Sequence, residues 1–94
     1  MANIRNLKKD IDFLVFEILS DCQMYMYTHP KKNEDKIESL MNDAQELWVN
    51  SYERANRPDG KHDRKLLKEH YKSLRKDFIA SINELFERLS EISK

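Results

Sequence analysis

Few side chains in this 94-residue chain are of a type and spacing that does chemistry. The histidines are His29, His62 and His70, and the one cysteine is Cys22. A metal ion needs His, Cys, Asp or Glu at ligand spacing on one face. His62 and His70, with Asp63 and Glu69 beside them, come nearest, but the chain contains no HExxH, no CxxC and no paired ExxH. They read as structural or solvated histidines, and His29, ahead of Pro30 in a turn, reads the same way. Cys22 falls on an apolar helical stripe with no histidine near it in sequence, where a thiolate is costly and nucleophilic attack has no base to assist it. It is expected to be a core thiol, and a lone cysteine forms no internal disulfide. A phosphate-cradling loop needs several glycines, and Gly60 is the only one in the chain. No catalytic residue, no metal site and no cofactor is expected.

The cations are more organised. Between positions 57 and 76 eight basic residues stand against three acidic ones, a net +5. Arg64, Lys68, Lys72, Arg75 and Lys76 share one helical face. Such a face neutralises phosphates, which makes it a candidate anion-binding surface and the basis of an alternative reading as a nucleic-acid accessory protein. Positions 34 to 53 carry six acidic residues and Lys36 alone, a net −5, and in an antiparallel helix pair two such stretches would flank one seam. No aromatic interleaves the cations for base stacking except Tyr71, which belongs to an apolar stripe. Over the whole chain 17 basic residues balance 17 acidic ones, so no net field draws it to nucleic acid or an anionic membrane.

Two stretches resemble known families. Arg57-Pro58-Asp59-Gly60-Lys61-His62 has the Arg-x4-His spacing of the helical HEPN-type ribonucleases, where the pair lies on a helix; here Pro58 and Gly60 make the segment a turn. Leu7-Lys8-Lys9-Asp10-Ile11-Asp12-Phe13-Leu14 resembles the opening of the all-helical chorismate mutases, short three-helix proteins that dimerise and bind a dicarboxylate with arginines and lysines. That resemblance implies a further alternative, a small helical enzyme of chorismate-mutase type, with Lys8 as a cation for a dianion at a position where the family has arginine. The same helix contains no arginine after Arg5 to act as a second cation.

The elements that must position these residues follow from periodicity and punctuation. A first helix over about 3–27 carries Ile4, Leu7, Ile11, Leu14, Val15, Ile18, Cys22 and Tyr25 on one face, and Pro30 ends it. A second over about 34–56, N-capped by Asn33, presents Ile37, Leu40, Met41, Ala44, Leu47, Trp48, Tyr52 and Ala55 as one stripe. The turn Arg57-Pro58-Asp59-Gly60-Lys61 leads to a third helix over about 63–92, capped by Asp63, with Leu67, Tyr71, Leu74, Phe78, Ile82, Leu85, Leu89 and Ile92 inward. Short connections make neighbours antiparallel, so the expected fold is all-α: an antiparallel up-down-up three-helix bundle forming a single domain over 1–94. The N-terminus lacks the uninterrupted apolar core of a secretory signal, and no run approaches the roughly 20 apolar residues of a membrane span, so a cytoplasmic location without membrane contact is expected.

The first helix has one feature that this bundle does not require. Phe13, Phe16, Met24 and Tyr27 form a second apolar line opposite the core face, with Ser20 filling the gap between them. Ile79 and Phe86 widen the stripe of the third helix in its second half. These six residues are the expected interface of a small non-catalytic protein that works through protein–protein contact or as a homodimer.

Overall fold

The computed structural model describes residues 4–57 and 63–93. Three helices account for their regular structure: α1 (Ile4–Thr28), α2 (Glu34–Asn56) and α3 (Arg64–Ser93). Each helix packs against both others, giving an antiparallel three-helix bundle about 51 Å long and 18 Å across. Its length is close to that of α3 alone at about 1.5 Å per residue, so the helices lie nearly along one axis.

The ends of the helices have local causes. Helical geometry is disfavoured at His29 by Pro30, and α1 closes with the His29 amide donating to the Tyr25 carbonyl at 2.8 Å. Thr28 Oγ1 donates to the carbonyls of Met24 and Tyr25, and the His29 ring stacks on Tyr25 at 4.6 Å. In the turn that follows, Lys31 and Asn33 take positive φ angles of 69° and 56°; asparagine tolerates this region better than most residues. Asn33 precedes α2 as expected but does not cap it with its side chain. Its left-handed backbone turns the amide away, and Nδ2 donates instead to Tyr25 Oη at 3.0 Å. Glu34 and Asp35 in the first turn of α2 supply the favourable charge for its free amides. Asp63 caps α3 as its sequence position predicts, with Oδ1 accepting from the amides of Lys65 (2.9 Å) and Leu66 (3.4 Å).

The core is the set of expected inward faces, with adjustments at its rim. Leu7, Ile11, Val15, Ile18, Cys22 and Tyr25 of α1 are buried against Ile37, Leu40, Ala44 and Ala55 of α2 and Leu74, Phe78, Ile82, Leu85 and Leu89 of α3. Leu14, Met41, Leu47, Tyr52, Tyr71, Phe86 and Ile92 are partly buried around them. The side chain of Ile4, expected on the core face, lies outside the described residues. Trp48 departs from expectation: it is 42 % exposed, because its indole N–H has to find an acceptor and finds it at the rim of the bundle. One tyrosine locks an end of the molecule, since Tyr25 Oη accepts from Asn33 and donates to the Ile92 carbonyl at 3.4 Å.

Ion pairs mark the register. Arg88 meets Asp43 at 2.7 Å and Arg54 meets Asp77 at 3.1 Å across the α2–α3 seam, and Arg75 meets Asp10 at 2.7 Å between α3 and α1. The seam is therefore charge-complementary, but the acidic stretch 34–53 and the basic stretch 57–76 do not form it with each other. Antiparallel pairing sets most of the acidic stretch beside the second half of α3, beyond the basic stretch.

Candidate interaction surface

The outer face of α1 carries the largest apolar exposure in the described chain. Phe13 is 69 % exposed, Phe16 73 %, Met24 63 % and Tyr27 85 %. With α2 and α3 both packed on the opposite side, nothing among the described residues covers these four side chains. Phe13 to Tyr27 spans about 21 Å along the helix. Ser20, at the centre of this line, is half-buried between its larger neighbours.

The flanking helices extend the surface unequally. The Asp10–Arg75 pair sets Ile79, one turn after Arg75, level with the Phe13–Leu14 turn of α1, and Ile79 is exposed there. Phe86 instead packs against the core, where the widened α3 stripe meets its neighbours. On the α2 side Trp48 and Val49 are exposed.

Between α1 and α2 lies a polar cluster that the sequence did not foretell. Asp12 Oδ1 accepts from Trp48 Nε1 at 2.9 Å and from Tyr52 Oη at 2.6 Å. Trp48 and Tyr52 meet edge to face at 5.8 Å. Lys8, one turn before Asp12, donates to Asn56 Oδ1 and lies 5.4 Å from the centre of the Tyr52 ring. Partial desolvation, then the Asp12 hydrogen bond and charge, raise the Tyr52 pKa above the usual phenol value. The signal available in sequence was the four-residue spacing of Trp48 and Tyr52, two aromatics that each need a polar partner. The acceptor's identity depends on the α1–α2 register, which spacing within one helix does not reveal.

The other candidate groups are dispersed. Among the described residues no group of three or more His, Cys, Asp or Glu stands close enough to hold a metal ion. Cys22 is fully buried, and burial followed by the nearby Asp21 carboxylate pushes its pKa up to about 11, which keeps it a thiol. His70 Nε2 is 2.8 Å from the Arg54 carbonyl, a structural role. Of the Arg-x4-His pair, only Arg57 is described; positions 58 to 62, including His62, lie outside the described residues. Lys8, the residue matched to the chorismate-mutase pattern, is engaged with Asn56 and Tyr52 at the α1–α2 edge. An open depression of about 390 Å³ lined by Asp35, Lys36, Ser39, Arg88, Glu91 and Ile92 mixes charges of both signs, and its Arg88 is held by Asp43.

The basic face of α3 is exposed at Arg64, Lys68, Lys72 and Lys76, while Arg75 is half-buried against Asp10. The described aromatic beside them, Tyr71, is turned inward and donates to the Ala55 carbonyl, so it offers no stacking platform. No helix among the described residues is long and apolar enough to cross a membrane. Comparisons with protein-family models, curated proteins and solved structures find no match to this chain.

Proposed function

We propose that this chain is a non-catalytic helical module that works through protein–protein contact, and that it self-associates through the outer face of α1. The observation that carries this reading is the exposure of Phe13, Phe16, Met24 and Tyr27 as one line on one helix. Scattered apolar side chains are ordinary on a protein surface, whereas three aromatics and a methionine set along one helix face on either side of Ser20 suggest a surface that is covered in the working assembly. The rest of the described molecule is compatible with a scaffold: its thiol is buried, its described histidines are dispersed, and its surface depressions are open. Sedimentation of the wild type and of Phe16→Glu tests the reading. The wild type is expected above monomer mass at tens of micromolar and the variant at monomer mass.

The exposed Arg64, Lys68, Lys72 and Lys76 support a second reading, as a nucleic-acid accessory face. Binding to mixed-sequence DNA or RNA at two salt concentrations tests it. Affinity that falls steeply with salt supports it, and no salt-dependent binding removes it.

A further inference from the structure

The exposed line on α1 reads the same in both directions. Measured from Ser20, Phe16 and Met24 stand four residues before and after, and Phe13 and Tyr27 seven before and after. Angular placement repeats the symmetry: at about 100° per residue, Phe16 and Met24 fall on opposite sides of the Ser20 line, and Phe13 and Tyr27 fall closer in on opposite sides. This is the pattern that a two-fold axis requires, because an isologous interface sets residue i against residue j and j against i.

The geometry points to an antiparallel pairing of α1 with α1 of a second copy, the two-fold axis passing at Ser20, so that Phe16 layers with Met24 of the second copy and Phe13 with Tyr27 of the second copy. The inference rests on the self-association proposed above and specifies its occupant and direction. Ser20 meets Ser20 at the axis, where a small side chain lets the two helices approach closely enough for the flanking aromatics to interlock. Fourteen residues from Phe13 to Tyr27 cover four steps of the line. That is the roughly 3.5-residue average of a packed helix seam.

The helix dipoles favour the antiparallel direction. A parallel pairing would set Lys9 against Lys9 on the same line and align the two helix dipoles. The antiparallel pairing opposes the dipoles and parts the two Lys9 side chains, but brings each toward the Lys31–Lys32 turn of the second copy. The layers from Phe13 to Tyr27 are uncharged in either direction, so the dipoles and the symmetric spacing about Ser20 carry the choice. Size agrees with a real but weak complex. With about 150–250 Å² on each large aromatic, the observed exposures leave roughly 500 Å² of these side chains per copy to cover. Both copies together reach only the lower end of specific interfaces, for which association at the micromolar end is expected.

The test is a charge-pairing experiment on two exposed positions, with helical content checked by circular dichroism. Phe16→Glu alone and Met24→Lys alone each introduce a charge beside an apolar partner and are expected to sediment as monomers. Mixed in equal amounts, they set the new carboxylate at position 16 of one copy beside the new ammonium at position 24 of the other, and leave the second Phe16–Met24 layer intact. The mixture is expected to associate about tenfold more tightly than either variant alone. A dimeric wild type whose variants show no such gain on mixing overturns the antiparallel arrangement and leaves self-association standing. A wild type that is monomeric at tens of micromolar overturns both.

Discussion

Trp48 Nε1 donates to Asp12 Oδ1 at 2.9 Å, and the pair ties the outer edges of α1 and α2 together at mid-bundle. Tyr52 donates to the same carboxylate oxygen at 2.6 Å, so one side chain of α1 satisfies two aromatic donors of α2. Ladders within a helix do not set how far one helix slides on another. Cross-helix hydrogen bonds of this kind, with the ion pairs at Asp10, Asp43 and Asp77, supply that information.

Replacing Asp12 with Ala is therefore expected to cost about 1 kcal/mol, the usual worth of such a bond at a partly solvated site, rather than the larger penalty of a buried orphan. Thermal unfolding followed by circular dichroism should show a midpoint lower by roughly 4–8 °C for a domain of this size. Trp48 fluorescence should shift to the red as the indole loosens into water. An unchanged midpoint and spectrum would show that the cluster does not hold the seam.

Alkaline pH should weaken the fold. The Cys22 thiol moves from an ordinary 9.0 to about 11, and the Tyr52 hydroxyl is raised as well. A group that holds its proton more tightly when folded lends stability below its unfolded pKa, and loses it as pH rises through the folded value. Stability should thus be flat near neutrality and fall as pH rises above the ordinary thiol value of 9.0. Tyr52→Phe should reduce that fall, and Cys22 should react slowly with thiol reagents at mildly alkaline pH until the chain unfolds. Rapid labelling of the native protein would contradict the burial.

Tyr25 ties the end of α1 to Asn33 ahead of α2 and to the Ile92 carbonyl near the end of α3. Tyr25→Phe keeps the buried ring and deletes both bonds, so a loss of about 1 kcal/mol is expected in urea unfolding. Hydrogen exchange should quicken selectively in the last turns of α1 and α3. Uniform acceleration across the bundle would mean that the tyrosine acts on global packing and not on the end.

The helices were legible because the chain punctuates them: Pro30 ends α1, Asp63 caps α3, and the apolar residues of each segment repeat at 3- and 4-residue spacing. Burial of Ile11, Ile18, Ile37, Leu40, Leu74 and Ile82 followed from that spacing alone. What stayed hidden depends on register between helices. The Asp12 cluster, the exposure of Trp48 and the choice of Asp77 and Arg88 for the seam all need one helix placed along another, which no single-helix period encodes. Asn33 misled for a local reason: its side chain suits a cap, but its backbone is in the left-handed region and its amide serves Tyr25. The second line on α1 was visible in sequence, and the structure shows its four large side chains exposed to solvent within one chain.

The central claim concerns that line, and solution mass measures it most directly. Sedimentation equilibrium from about 1 to 100 μM, the range expected for an interface of this size, should give a mass rising from one chain toward two for the wild type, and a constant single-chain mass for Phe16→Glu. A wild type that remains at single-chain mass across the whole range would contradict the account.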